Sequence, residues 1–211
     1  MSQQQMLQAL NTGGELAESC HTKGCNVLCL GEMGIGNTSP SSVWMSIWGN
    51  LPLSSCVGSG SGLNTEGEKH KLAILEQAVS HFKRQPLPHN DPATIIQYFG
   101  GFEMVAAIGA MLRAAELRMI VLVDGFIMSA CMLAASKLNP AVLDYAAFGH
   151  CGDESGHRQL LALMQAQPIL QLGMRLGEGT GALCAYPIIE SSVRMINEMN
   201  NFKDANIDKY F

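Results

Sequence analysis

Charge is what this 211-residue sequence has least of: 15% of its residues are charged and 47% hydrophobic, where globular chains carry roughly 25% charged residues. So poor a supply of charge argues for a buried subunit interface. The 13 Lys and Arg residues form no cluster interleaved with aromatics and the formal net charge is −5, which removes the electrostatic footprint of a nucleic-acid binder. No Cys-x-x-Cys occurs among the seven cysteines, which stand mostly in apolar runs, so buried reduced thiols are expected. His150, Cys151 and His157 match no zinc-ligand spacing, and neither a metal nor a cofactor is expected. The start, Ser2-Gln3-Gln4-Gln5, lacks the basic and apolar parts of a signal peptide. The most apolar stretch, 119–135, is broken by Asp124-Gly125 and reads as strand, turn and helix rather than as a membrane span. A soluble cytoplasmic protein with no nucleic-acid or membrane partner is therefore expected.

What is present centres on Gly31-Glu32-Met33-Gly34-Ile35-Gly36-Asn37-Thr38-Ser39-Pro40. The apolar run 26–30 leads into it as a strand and a helical pattern leaves it. Glycines at 34 and 36 let a ligand approach the backbone, and a helix start just behind them favours negative charge, so a phosphate is the natural guest. Glu32 falls at the strand end, where open α/β sheets place their chemistry. The alternative is a turn that only reverses the chain. No Gly-Lys-Ser/Thr follows, and the third glycine of the dinucleotide fingerprint is missing.

Along the chain, residues 3–20 read as a helix with a weak point at Gly13-Gly14, and 39–48 as a second with Pro40 in its first turn. The Gly/Ser/Pro-rich segment 49–62 reads as loop. A helix over 66–83 carries Leu72, Ile74, Leu75, Ala78, Val79 and Phe82 as its apolar set, with Lys71 about a turn inside it. Short helical patterns cover 93–98 and 102–117. Met119–Val123 is a continuous apolar run, as in a parallel strand buried on both faces. Asp124 behind it is either a ligand contact or, by preference, the cap of the helix 126–137. A strand over 145–148, a helix from Ser155 to about Ala166 and a long helix from 182 to about Met199 follow, the last carrying Leu183, Ile188, Ile189, Val193, Met195 and Ile196. Strands alternating with helices give βαβ units and a mainly parallel sheet. Residues 1–199 read as a single α/β domain and 200–211 as a loosely held tail.

Glu178 lies between Gly177 and Gly179 at the start of that last helix, a position that serves either capping or chemistry. Paired with Glu32 at one sheet edge it suits general-base work on a nitrogen heterocycle or an alcohol, and Lys71 would supply positive charge for a phosphate.

These residues resemble the nicotinate-nucleotide:dimethylbenzimidazole phosphoribosyltransferase family. The resemblance rests on Gly31 to Thr38, Val57 to Lys71, Gly100-Gly101-Phe102-Glu103, Val121 to Phe126, Gly156-His157 and Leu172 to Ala182, in the family's order. It implies a Rossmann-like three-layer α/β/α fold, a homodimer, and transfer of phosphoribosyl from nicotinate mononucleotide to 5,6-dimethylbenzimidazole, an aromatic azole base, giving α-ribazole phosphate and nicotinate. It also implies Glu178 as the catalytic carboxylate, Glu32 in the base pocket, Lys71 near the nucleotide, and Gly34-Ile35-Gly36-Asn37 with Gly177 around phosphate and ribose.

The sequence also departs from the family. Members carry a substantial portion before the position matching Met1, part of which builds the base pocket; Ser39-Pro40-Ser41-Ser42 stands where Thr-Pro and alanines are preferred; Gly149-His150-Cys151-Gly152 replaces a Ser-His stretch. The alternative expectation is thus a truncated nucleotide-binding subunit that depends on a partner, such as a separate N-terminal chain. Met104, Met111, Met128 and Met132 crowd the helices around 102–135, so that not every apolar face can point inward, and an apolar dimer interface is expected.

Overall fold

The computed structural model describes residues 1–60 and 62–200; the tail beyond 200 lies outside them. Helix α1 (Gln3–Thr22) opens with Ser2 and Gln5 capping one another reciprocally. Strand β1 (Val27–Leu30) leads through the Gly-rich turn into α2 (Thr38–Gly49), and a 3₁₀ turn (Leu53–Ser55) into α3 (Thr65–Arg84). Then come α4 (Pro92–Phe99), α5 (Phe102–Glu116), β2 (Ile120–Val123), α6 (Phe126–Leu138), a 3₁₀ stretch (Pro140–Tyr145), β3 (Ala146–Phe148), α7 (His157–Leu163) and α8 (Thr180–Glu198).

The strands pair in parallel in the order β1-β2-β3, with Leu28 beside Val121 and Val121 beside Ala146. Alternation across the pleat sends Val121 and Val123 into the main core and Leu122 to the opposite face. The main core lies under α1, α2, α4, α5 and α6, around Trp44, Met45, Ile96, Met104, Ile108, Met111 and Met132, all with no exposed surface. On the other face α8 covers the sheet with Ala182 and Ala185, beside Ile169 and Leu170. That makes a three-layer, Rossmann-like α/β/α arrangement.

Several expectations are corrected here. Gly13 is no weak point, because α1 runs through it without a break. A Cβ at Gly13 would fall 1.8 Å from Ala106 O, and one at Gly109 would fall 2.0 Å from Leu10 O, so the glycines let the α1 and α5 backbones touch. The methionines expected at an interface, Met104, Met111, Met128 and Met132, are core residues at 3% exposure or less. Among the exposed apolar residues are five on α8, Leu183, Ile188, Val193, Met195 and Ile196, at 45–84% exposure. Of the apolar set on α3 only Phe82 is buried. All seven cysteines are free, but only Cys56 and Cys131 are buried. Helix α7 begins at His157, two residues later than expected, because Gly156 precedes it at φ 83°.

Candidate functional site

The three strands end in Gly31-Glu32, Asp124-Gly125 and Gly149-His150, and Glu32, Asp124, Gly125 and His150 line one cavity of about 420 Å³. A cavity off the carboxyl ends of a parallel sheet is where this architecture binds ligands. Thr38, Ser59, Gly60, Glu154, His157 and residues 174–177 close its other walls.

Glu32 is held by its own turn. Its Oε1 accepts the Gly34 N–H at 2.6 Å and an Asn37 Nδ2 hydrogen at 3.1 Å, while Oε2 is buried without a partner. Where the sequence suggests free N–H groups, the structure gives that of Gly34 to Glu32. Asn37 also donates to Glu103 Oε1 at 2.7 Å, so one amide bridges two carboxylates and leaves the α2 N-terminus without a side-chain cap. Ile35 is 71% exposed on the outside of the turn. Behind it the buried Ser41 and Ser42 hydroxyls donate to Asn37 O and Thr38 O, one turn back in the helix.

Lys71 donates from Nζ to Thr38 Oγ1 at 2.8 Å and to Gly58 O at 3.1 Å. The ammonium thus stands behind the Thr38 and Gly60 wall of the cavity. Half-burial pulls its pKa down, and the Glu154 and Glu68 carboxylates oppose that. Glu154 Oε1 also accepts the Gly60 N–H at 3.2 Å, tying the two loops together.

Glu178 has φ 63°, a left-handed backbone on a non-glycine residue, and its side chain is exposed. Its N–H donates to Glu32 O at 3.0 Å. A Cβ on Gly31 would fall 2.3 Å from the Glu178 carbonyl carbon, so the two carboxylate-bearing turns meet backbone to backbone. Gly177 lines the cavity; Glu178 is the next residue and is not itself part of the lining. Nor does Glu178 cap α8.

That cap comes from Asp124. Its Oδ2 accepts the Gly179 N–H at 3.1 Å and its Oδ1 the Ala182 N–H at 3.0 Å. The expectation that it caps the next helix is corrected: α6 starts at Phe126, with Gly125 at its N-cap and no side-chain cap. A cap is read from sequence as a local feature, and this one reaches across 55 residues. The only signal for it was an Asp directly behind a buried parallel strand.

Two histidines complete the floor; in the sequence they stood out only in a rejected metal pattern, in the Gly156-His157 match and in the Gly149–Gly152 departure from the family, with no role attached. His157 Nδ1 accepts the Gly152 N–H at 2.9 Å, so Nε2 carries the proton and donates to Ser129 Oγ at 3.1 Å. Burial, reinforced by the neighbouring His150, pushes His157 down to about 4. His150 is 1% exposed, with both ring nitrogens unpartnered and Nε2 3.9 Å from Asp124 Oδ1, too long for a hydrogen bond. Burial lowers its pKa and Asp124 opposes the shift.

Chemically, the site offers an exposed carboxylate on a left-handed turn beside the cavity, a second carboxylate joined to it through the backbone, and a lysine behind the far wall. Fold and site together define a Rossmann-like α/β protein with a ligand-sized cavity at the carboxyl ends of its strands. A family model described as phosphoribosyltransferase matches residues 1–207. The chain belongs to that family. It is 58% identical over 211 residues to a nicotinate-nucleotide–dimethylbenzimidazole phosphoribosyltransferase from Bacteroides fragilis, covering all of this chain and 60% of the relative. It is 52% identical to the protein of that name from Parabacteroides distasonis, with the same coverage. The crystal structure of CobT from Thermus thermophilus superposes with a TM-score of 0.91 at 32% identity, over 99% of this chain and 61% of that one. The chain thus spans about 60% of the length of the curated relatives it matches. No helix among the described residues is long and apolar enough to cross a membrane.

Proposed function

We propose that residues 1–199 act as one unit that transfers the phosphoribosyl group of nicotinate mononucleotide to 5,6-dimethylbenzimidazole, as part of cobalamin nucleotide-loop assembly. A ring nitrogen of the base attacks the anomeric carbon from the face opposite nicotinate. As that C–N bond forms, the bond to nicotinate breaks and its electron pair leaves with nicotinate, inverting β to α. The azole proton passes to the Glu178 carboxylate. Glu32 faces the base, Lys71 and the Gly34-Ile35-Gly36-Asn37 turn serve phosphate and ribose, and Gly177 leaves room for them.

The observation that carries this reading is the backbone junction of the Glu32 and Glu178 turns at the cavity rim, with the Glu178 N–H on Glu32 O. It supports the reading by joining the Glu178 turn, next to the lining residue Gly177, to the lining carboxylate of Glu32, with Lys71 behind the opposite wall. The test is nicotinate release from nicotinate mononucleotide. Release that requires dimethylbenzimidazole supports the proposal; none from folded protein at high concentration overturns it.

A second reading is favoured by the exposed apolar residues of α8: a nucleotide-binding subunit that needs a partner, either a second copy of itself or a separate N-terminal chain. It predicts calorimetric binding of nicotinate mononucleotide by this chain, with turnover only after the partner is added. The cytoplasm, where a nucleotide substrate is made, is the proposed location.

A further inference from the structure

Glu178 stands in a conformation its own residue type disfavours. A non-glycine residue at φ 63° persists only where the surroundings over-determine it. The contacts that do so can be named. The Glu178 N–H is fixed on Glu32 O. The next two come from one side chain: Asp124 receives the Gly179 N–H on Oδ2 and the Ala182 N–H on Oδ1, at 3.1 and 3.0 Å.

Asp124 is suited to hold something still. It is the first residue beyond β2, the central strand, and it is 3% exposed. An ionised carboxylate in that place is costly unless it is compensated, and two N–H donors with the positive end of the 19-residue α8 compensate it. Neighbouring glycines let the helix come close enough. A Cβ on Gly181 would fall 1.9 Å from His150 Cδ2, and one on Gly149 would fall 2.9 Å from Ala182 Cα. The helix start is thus drawn against the strand ends, with Glu178 in the turn directly before it.

We propose that Asp124 is a positioning residue for the transfer: by clamping the N-terminus of α8 to the end of β2 it fixes where the Glu178 carboxylate stands. This rests on Glu178 being the base. Each Asp124 oxygen holds one α8 N–H, and because Asp124 also lines the cavity, positioning through Glu178 and direct contact with substrate are separated by the kinetics below.

Asp124→Asn tests it, because the amide keeps the shape but must turn a donor toward one of the two N–H groups. The first readout needs no activity. Amide hydrogen exchange at Gly179 and Ala182 is expected to rise about tenfold or more while the amides of α5 and α6 stay protected; unchanged exchange at 179 and 182 overturns the clamp. The second readout is kinetic. In Asp124→Asn, kcat is expected to fall about 10- to 100-fold, with KM for nicotinate mononucleotide held within about twofold. Added to Glu178→Gln, the same substitution should cost nothing further. Losses that multiply in the double variant, or a KM that rises with kcat unchanged, overturn positioning in favour of direct substrate contact or general structure. If the parent protein makes no product, the transfer reading fails while the exchange experiment still decides the clamp. Should Asp124→Asn not fold, Asp124→Ser, which keeps one acceptor suited to a helix start, is read in the same two ways.

Discussion

At the scale of single residues, Glu178 and Lys71 make separable predictions. Glu178→Gln preserves size and hydrogen-bonding reach but cannot take the azole proton. Turnover should fall by about 10²–10⁴-fold with nucleotide affinity nearly unchanged, and an undiminished rate would remove Glu178 from the base role. Lys71→Ala should weaken nicotinate mononucleotide far more than the free base, by roughly 1.5–3 kcal/mol for one charge-assisted hydrogen bond. Because Nζ also holds Thr38 Oγ1 and Gly58 O, calorimetry on both ligands is needed, and equal weakening of both would make Lys71 a support for the loop alone. His157 carries a pH dependence whose sign follows from its environment. It titrates near 6.5 in the unfolded chain and about 4 when folded. Between those values the unfolded chain binds a proton that the folded one does not, so stability is lost as pH falls from 6.5 toward 4 and the loss levels off below. The loss is on the order of 3 kcal/mol, and burial of His150 adds to it in the same direction. Urea midpoints across that window should drop, and His157→Gln should flatten the drop. An unchanged slope would assign it to other groups.

At the scale of elements, the strands and most helices were legible because periodicity and glycine punctuation are local signals. Met119–Val123 reads as a parallel strand buried on both faces; the strand is Ile120–Val123, buried from Val121 on, while Ile120 is 37% exposed. What stayed hidden was set by distant partners. Gly13 reads as a helix breaker until Ala106 O is found 1.8 Å from where its Cβ would be, and Asp124 reads as the cap of the helix beside it until α8 arrives from 55 residues away. The Glu178 and Glu32 turns were legible as Gly-flanked carboxylates, whereas their backbone contact was not. Helix α8 misleads in the opposite sense, since its apolar residues promise burial and only Ala182 and Ala185 deliver it. The contact between α1 and α5 yields its own prediction. Gly13→Ala forces a methyl onto a carbonyl that cannot move without its helix, so urea denaturation should show a loss at the upper end of the about 1–3 kcal/mol usual for overpacking. Gly24→Ala, where a Cβ meets nothing within 4 Å but φ is +90°, separates crowding from backbone strain. If Gly24→Ala costs more than Gly13→Ala, the close helix crossing is not what Gly13 serves.

At the scale of the whole molecule, the low charge content is absorbed in part by a methionine-rich core and in part by the bare face of α8, where Ile196 is 84% exposed. An apolar stripe of that kind is rare on soluble monomers, so light scattering at micromolar concentration should report a dimer or larger; a monodisperse monomer would mean that water tolerates this face. The central claim is about chemistry, and one measurement tests it most directly: the anomeric configuration of the product formed from nicotinate mononucleotide and dimethylbenzimidazole, read by proton NMR. Direct attack by an azole whose proton goes to Glu178 predicts α-ribazole phosphate alone, and a β product, or ribose 5-phosphate from attack by water, would contradict it.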